Sequence, residues 1–150
     1  MGKFPFHTDT AYWPVPARYV LFHCLAPGAG DRPTLIIDPR DWHLTDMDRR
    51  ALCNEVWRTT TSQSFLCTIA TRRADGLCIR FDDACVTPMT REAFRVRDLV
   101  RALIRDSTII PIQWRAGDLL VIDNLRLLHA RGEARVADPD RVLARILVRE

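Results

Sequence analysis

The sequence lacks several features that assign a protein to a specialised class. No apolar stretch approaches the roughly 18 residues of a membrane-spanning helix, and the first six residues lack the apolar segment of a signal peptide. The basic residues are scattered and the net charge is only +3, so nucleic-acid and membrane binding gain little support. We find no internal repeat, linker or low-complexity segment. These absences favour a cytoplasmic protein with a single domain over residues 1–150.

The five cysteines lack the spacing of a metal or redox site. Their number is odd and no two of them form a C-x-x-C pair. Reduced, mostly buried thiols therefore explain them better than a zinc site or a disulfide framework. The apolar content of 47% and charged content of 27% are those of an ordinary soluble globular protein. A chain of this length can bury about two thirds of its unfolded surface.

Short apolar runs separated by turn signals predict a mainly β fold with flanking helices. The predicted strands cover residues 19–25, 34–38, 65–71, 77–81, 109–114, 119–123, 127–131 and 141–149. Asp75-Gly76 is the predicted turn between the third and fourth of them. One helix, capped by Thr45, is predicted to run to about Trp57, and a second begins near Thr90. The apolar positions that the first should bury are Met47, Ala51, Leu52 and Val56. Many short strands and two helices indicate a sandwich or barrel of strands with helices packed outside.

A histidine and an aspartate stand two residues apart in the run FPFHTDTAYW. Side chains alternate along a strand, so His7 and Asp9 would project to the same side and could share one metal ion. His129 follows 120 residues after Asp9, in GDLLVIDNLRLLHARG. Two histidines and one carboxylate are typical of a non-haem Fe(II) site that leaves positions open for other ligands. Alone, however, the tripeptide is weak evidence, since a polar surface strand and a histidine at a strand end are the simpler explanations of these residues.

The last predicted strand carries arginines and leucines on one face. Arg141, Leu143, Arg145 and Leu147 alternate with an apolar set. The apolar set is Val142, Ala144, Ile146 and Val148. A solvated arginine face is the simpler interpretation, but it would leave half of that face apolar. A strand that lines a pocket, with its arginines meeting an anionic ligand, accounts for both residue types.

Four segments together resemble a known family: FHTDTAYW...P.RYVLFHC, RPTLIID, GDLLVIDNLRLLHARG and DRVLARILVR. They are similar to the Fe(II)/2-oxoglutarate dioxygenases of the taurine dioxygenase superfamily. The nearest resemblance is to the clavaminate synthase-like branch, which includes amino-acid β-hydroxylases acting on arginine and asparagine. The resemblance runs from Phe6 to Arg149, although residues 44–105 carry no motif that matches.

The resemblance implies a role for particular residues. The implied iron ligands are His7, Asp9 and His129. Thr34 falls where the family has a threonine whose hydroxyl meets the 2-oxoglutarate carboxylate. Arg141 matches the arginine that pairs with the distal carboxylate of this cosubstrate, and Arg145 matches a second arginine that contacts cosubstrate or substrate. Asp123 and Asn124 match a pair that supports the distal histidine.

The implied reaction is the oxidation of an unactivated C–H bond in a small molecule, such as an amino acid or its derivative, with release of succinate and CO2. Halogenases of this superfamily have a small residue in place of the carboxylate, so Asp9 favours hydroxylation or a related oxidation. A non-catalytic or partner-dependent subunit, or a truncated remnant of such an oxygenase, is the main alternative. A zinc hydrolase is a more distant one, because it would leave the arginine strand without a purpose.

The implied fold is a double-stranded β-helix, a jelly-roll or cupin-like barrel that holds the metal inside. Family members usually carry on the order of a hundred residues before the first histidine, whereas His7 stands near the start of this sequence. We therefore expect the barrel to lack its usual N-terminal portion. An open apolar sheet edge is a liability unless it is covered. We accordingly expect a homodimer, or a partner chain that covers the missing part.

Overall fold

A computed structural model describes residues 4–61, 63–74 and 76–149, which form antiparallel β-sheets and two α-helices. The strands of this described part are β1 (Phe4–His7), β2 (Tyr19–Ala26), β3 (Thr34–Ile37), β4 (Trp57–Thr59), β5 (Leu66–Cys67), β6 (Ala70–Arg73), β7 (Gly76–Ile79), β8 (Val86–Pro88), β9 (Ile110–Ile112), β10 (Leu119–Asp123), β11 (Leu128–Arg131) and β12 (Val142–Val148). The helices are α1 (Asp46–Asn54) and α2 (Arg91–Asp106), and Pro39–Asp41 forms a 3-10 turn. The predicted mainly β class with flanking helices is confirmed.

Two of the sheets pack face to face. One has the strand order β1-β11-β3-β9 and the other the order β10-β2-β12, with every neighbouring pair antiparallel. Val20, Ile36 and Ile122 are buried between them, because each strand turns alternate side chains inward. This is the double-stranded arrangement that the sequence resemblance implies. The chain between β3 and β9 forms a small sheet with the strand order β5-β4-β8 and the hairpin β6–β7.

The first helix begins where the sequence predicts and ends earlier. Thr45 and Asp48 form a reciprocal capping box, in which the Thr45 hydroxyl accepts from the Asp48 backbone N–H. The helix stops at Asn54, and Trp57 begins β4 instead, paired with both β5 and β8. Strand pairing on both sides overrides the helical periodicity that predicted a longer helix. Ala51 and Leu52 are buried as expected, whereas Met47 and Val56 are 74% and 38% exposed, contrary to the prediction.

The second helix and the main core agree with the sequence pattern. Thr90 caps α2 by accepting from the Ala93 backbone N–H, and one side of the helix is buried. The buried core beneath the helices includes Leu52, Trp57, Phe81, Val96, Val100 and Leu128. The opposite face carries the exposed residues Arg91, Arg95, Arg101 and Arg105, as predicted. In the described part of the chain, no helix has the length and apolarity required to cross a membrane.

The predicted strand over residues 65–71 is in fact two strands in different sheets. β5 pairs with β4, while β6 pairs with β7. β6 and β7 are antiparallel neighbours, with Arg73 as the register partner of Gly76, which is itself the first residue of β7. Gly76 has a φ of +129°, which favours glycine, and Asp75 lies outside the described residues.

Candidate metal centre

The two histidines of the predicted site meet through strand pairing. His7 is the last residue of β1, and the β1–β11 register places it directly opposite His129. Their ring centroids are 4.4 Å apart and both residues are buried. Antiparallel pairing thus joins two segments that are distant in the sequence.

Asp9 reaches the same place by a different backbone path from the predicted one. β1 ends at His7 and Asp9 lies in the following turn, so strand alternation is the wrong explanation for its position. Thr10, the next residue, has a φ of +57°, which turns the chain away from the strand direction. Asp9 Oδ1 lies 4.0 Å from His7 Nε2, and its Oδ2 lies 3.6 Å from His129 Nε2. One ligand atom from each of the three residues lies within 4.8 Å of the others.

Thr8 fixes the backbone between the two candidate ligands. Its backbone N–H donates to the carbonyl oxygen of Phe81 at 2.7 Å. Its hydroxyl donates to the carbonyl oxygen of Ile79 and accepts from the Phe81 backbone N–H, at 3.0 and 3.1 Å. These bonds are buried and span more than 70 residues of sequence. They hold the His7–Asp9 segment against β7 and the residues that follow it.

Asn124 holds the turn that carries Asp9. Its side-chain oxygen accepts from the Asp9 backbone N–H at 2.8 Å. Its side-chain amide donates to the carbonyl oxygens of Asp9 and Ala17, at 3.0 and 2.8 Å. Asn124 is fully buried, so these backbone groups have no access to water in its place. This geometry supports the predicted supporting role of Asn124, while the neighbouring Asp123 pairs with Arg18 at 2.9 Å.

The hydrogen bonds of His7 determine which of its ring nitrogens can bind a cation. Nδ1 lies 3.0 Å from the carbonyl oxygen of Pro5, which can only accept, so Nδ1 carries the hydrogen. The lone pair of Nε2 is then free on the side of Asp9. Among the described residues, buried Asp9 Oδ2 and His129 Nδ1 have no hydrogen-bond partner. A buried carboxylate oxygen without a partner fits a cation, because leaving it alone is costly.

Burial sets the charge state of the cluster. It lowers the pKa of His7, and the neighbouring His129 lowers it further. For Asp9, burial raises the pKa, but the adjacent His129 imidazole, the charge of Arg145 and the His7 imidazole lower it overall. Near neutral pH these pKa directions favour a neutral His7 and an ionised Asp9. These are the protonation states that divalent transition-metal ions require.

Arg145 bonds directly to one of the candidate ligands. Its Nη1 lies 2.8 Å from Asp9 Oδ1, and its side chain is 50% exposed. It extends from β12, whose register pairs it with Phe22 of β2. The guanidinium therefore lies between the candidate metal site and solvent. Its contact with the cosubstrate or the substrate remains a prediction.

All six predicted site residues line one cavity of about 630 Å³ between the two facing sheets. They are His7, Asp9, Thr34, His129, Arg141 and Arg145. Leu143 and Leu147 line it as well, so the predicted inward face of β12 is the pocket-lining one. Thr34 begins β3 and is buried, and its hydroxyl accepts from the Trp114 indole N–H at 3.0 Å. The ligand-binding roles of these residues stay predictions, but the structure brings all of them together.

Arg131, Asp82 and Phe22 are among the cavity residues that were not predicted. Arg131 had a sequence signal, since it stands two residues after His129 on β11 and alternation places both on one face. Asp82 had no sequence signal, because it follows β7 in a region without a recognisable motif. Only the tertiary structure places it in the wall of the cavity. Phe22 packs edge-on against His129, with ring centroids 5.9 Å apart.

The fold of this chain is similar to those of two solved oxygenase structures. The chain matches a crystal structure of asparagine oxygenase in complex with Fe(II), 2S,3S-3-hydroxyasparagine and succinate, with 22% identity and a TM-score of 0.83; the match covers 98% of this chain and 50% of that one. It also matches non-heme iron oxygenase OrfP in complex with Fe, with 21% identity and a TM-score of 0.81 over 98% of this chain and 51% of that one.

The chain therefore spans about half the length of these solved structures, and the likeness shows the shared fold. A search of curated protein sequences found no significant match. The family model described as taurine catabolism dioxygenase TauD, TfdA family matches residues 54–147, which include His129, Arg141 and Arg145. Since this match covers more than half of the sequence, the chain belongs to the TauD/TfdA family.

Proposed function

We propose that this chain carries the active centre of an Fe(II)- and 2-oxoglutarate-dependent oxygenase. The observation that carries the proposal is the convergence of His7, Asp9 and His129 at the wall of a cavity that Thr34 and Arg141 also line. The family supports the same chemistry, and solved relatives contain Fe(II) with succinate or Fe with alpha-ketoglutaric acid.

The residues present fit an iron ion. Two imidazoles and one carboxylate provide three ligand atoms, and the buried Asp9 Oδ2 lacks another partner among the described residues. Pro5 orients His7, while Asn124 and Thr8 hold the backbone on either side. Bound together, Fe(II) and 2-oxoglutarate would activate O2, the oxidant of the reaction: one oxygen atom ends in succinate, which is released with CO2, and the other in the oxidised substrate. The protein would hold these groups in place and keep bulk water from the buried ligands.

Thr34 and Arg141 are suited to bind the distal carboxylate of 2-oxoglutarate. A guanidinium offers two parallel N–H donors to a carboxylate, and a hydroxyl adds a third donor. Arg131 lines the same part of the cavity and increases its positive charge. Burial lowers the pKa of Arg141, and the nearby Asp138 opposes that effect. The 2-oxoglutarate dianion would therefore bind against a partly desolvated cationic wall, where charge-assisted hydrogen bonds are strong.

We assign the substrate to amino acids or their derivatives. The cavity offers the cationic Arg145 and the anionic Asp82, which complement the carboxylate and ammonium groups of a zwitterion. Tyr12 and Trp13 line the same cavity and supply aromatic surface. The relatives support this class, since one is an asparagine oxygenase and another was solved with (3S)-hydroxy-L-Arg.

The decisive experiment is anaerobic addition of Fe(II) and 2-oxoglutarate to the protein, followed by visible spectroscopy. Chelation of iron by the 2-oxo acid should give a metal-to-ligand charge-transfer band in the wild type and none in His7→Ala. A wild type without the band, or a band that persists in His7→Ala, contradicts the iron assignment. Succinate release that depends on an amino-acid substrate then separates an oxygenase from a non-catalytic subunit. Hydrolysis supported by zinc alone would favour the hydrolase alternative.

The partner of this chain, in our proposal, is a second copy. The outer face of the β10-β2-β12 sheet carries seven large exposed apolar side chains: Tyr19, Leu25, Leu119, Val121, Val142, Ile146 and Val148. Val121, Leu21 and Ile146 stand side by side across the three strands. Exposed patches of this kind mark interaction surfaces. None of these side chains is charged, so two copies can stack sheet on sheet without like-charge repulsion.

Light scattering after size-exclusion chromatography tests this dimer. Ile146→Asp should shift the protein to monomer, since it places two buried like charges in the interface. Leu66→Asp is a matched control, because Leu66 is 65% exposed but belongs to β5, outside this face. A monomeric wild type, or a dimer that Ile146→Asp leaves intact, contradicts the proposal.

A further inference from the structure

Trp114 and Thr34 form a buried hydrogen bond at the edge of the cavity. Trp114 lies two residues after β9, and Thr34 begins β3, where its register partner is Ile112. The indole Nε1 donates to Thr34 Oγ1 at 3.0 Å. Both residues are less than 10% exposed, so water does not compete with this bond.

The chemistry of the two groups fixes the role of each in this bond. An indole nitrogen can only donate, so the Thr34 hydroxyl must accept. Its own hydrogen must then point in one of the remaining directions around the oxygen. Among the described residues, no carbonyl or carboxylate accepts that hydrogen. Thr34 lines the cavity, where Arg141 and Arg131 also stand. A carboxylate bound in this cavity could therefore accept the hydrogen of the Thr34 hydroxyl.

We infer that Trp114 is a positioning residue for cosubstrate binding: it commits the Thr34 hydroxyl to donate to the distal carboxylate of 2-oxoglutarate. This inference rests on the proposed function. Without the indole N–H, Thr34 could rotate its hydroxyl and offer the cavity a lone pair, which repels a carboxylate. The indole supplies direction rather than charge, and it does not touch the cosubstrate itself.

The surroundings of Trp114 hold the indole in the donating position. Its ring packs edge-on against Phe22, with centroids 6.4 Å apart, and Phe22 in turn packs against His129. Aromatic pairs of this geometry restrict ring orientation. Trp114→Phe should retain much of the contact with Phe22 while it removes the N–H. This variant therefore separates the hydrogen bond from the packing.

A double-mutant cycle tests the inference. The variants are Trp114→Phe, Thr34→Val and the double variant, with Trp114→Leu as a second replacement that lacks the N–H. Affinity for 2-oxoglutarate is read from the anaerobic charge-transfer band of the Fe(II) protein, and Mn(II) affinity reports whether the metal site is intact. We expect about a tenfold loss of 2-oxoglutarate affinity in Trp114→Phe, as for a lost hydrogen bond to a charged group. The double variant should then bind no more weakly than Thr34→Val alone.

A control ligand distinguishes positioning from general packing. 2-Oxopentanoate has the same chelating end and chain length as 2-oxoglutarate but no distal carboxylate, so Trp114→Phe should not change its affinity. Unchanged 2-oxoglutarate affinity in both Trp114 variants overturns the inference. So do independent, multiplying effects in the double variant, or an equal loss for 2-oxopentanoate. A wild type that binds neither 2-oxo acid would instead overturn the proposed function, and this inference with it.

Discussion

Arg145 donates a hydrogen bond to Asp9 Oδ1 at 2.8 Å. This bond connects β12, the last described strand, to the turn that carries Asp9. The guanidinium and a bound cation would share one carboxylate. They compete electrostatically, because both are positive and both approach Asp9. Arg145 also lowers the pKa of Asp9, after the larger contributions of burial and His129.

Arg145→Gln should therefore strengthen metal binding near neutral pH. Loss of a half-exposed positive charge should raise Mn(II) affinity by about 3- to 10-fold, since solvent screens much of the Coulomb energy. Isothermal titration calorimetry with Mn(II) measures the change. Arg105→Gln, an exposed charge removed from α2, should have no effect. Weaker Mn(II) binding in Arg145→Gln would show instead that Arg145 is needed to orient Asp9.

Metal binding should resist mild acid. Protons compete with a cation for the imidazole lone pairs, and burial followed by His129 lowers the pKa of His7 from 6.5. As far as His7 controls it, Mn(II) affinity should be constant above pH 6.5 and decrease only below it. The free energy of unfolding of the metal-free protein should also fall as the pH drops below 6.5, because the unfolded state then binds more protons. Mn(II) titrations at a series of pH values check this, and affinity that already declines between about pH 7.5 and 6.5 would contradict it.

Asn124→Ala should destabilise the protein and weaken the metal site together. It removes three hydrogen bonds and leaves the backbone groups of Asp9 and Ala17 buried without partners. We expect the free energy of unfolding to fall by about 2–4 kcal/mol. Urea denaturation measures the stability, and Mn(II) titration of the folded fraction measures the site. Asn54→Ala is the control, since Asn54 is exposed at the end of α1. Unchanged Mn(II) affinity in a stably folded Asn124→Ala protein would remove Asn124 from the supports of the site.

Arg141→Lys should lose cosubstrate affinity while it keeps the positive charge. An ammonium group cannot offer two parallel donors to a carboxylate, so 2-oxoglutarate affinity should drop by about tenfold or more. Arg135→Lys is a matched control, because Arg135 is an exposed neighbour that does not line the same cavity. Affinity for Mn(II) should remain that of the wild type in both variants. Equal 2-oxoglutarate affinity in Arg141→Lys and wild type would assign Arg141 to structure.

Gly28→Ala should disturb the support of Arg141. Gly28 has a φ of +76°, and a Cβ there would overlap the Asp138 carboxylate and the Arg141 side chain. Gly117→Ala is a sharp control, since Gly117 has a φ of +91° but a Cβ there meets nothing within 4 Å. Both variants should lose about 1 kcal/mol from backbone strain, and Gly28→Ala should lose more. Thermal unfolding measures the stability of the two variants, and 2-oxoglutarate titration measures their cosubstrate affinity. Equal losses in both variants would show that the close approach of Asp138 to Gly28 does not support Arg141.

Local sequence patterns predicted much of the fold. The strand over Leu119–Asp123 and the starts of both helices agree with the structure, because alternation and capping residues act over a few neighbouring positions. The prediction failed where partners distant in sequence decide. Trp57 was predicted to end the first helix, but it lies in β4 and pairs with β5 and β8. The predicted strand over residues 65–71 divides into two strands that belong to different sheets.

The sequence by itself determined which residue types were available for the site: two histidines, a carboxylate, a threonine and two arginines at spacings that resemble one family. Only the tertiary structure decided how they meet. The β1–β11 register sets His7 against His129, and Asn124 holds Asp9 in a turn that strand alternation did not predict. The contacts of Arg145 with Asp9 and of Trp114 with Thr34 span 136 and 80 residues, respectively. Such contacts depend on long-range packing, which no local pattern of residues encodes.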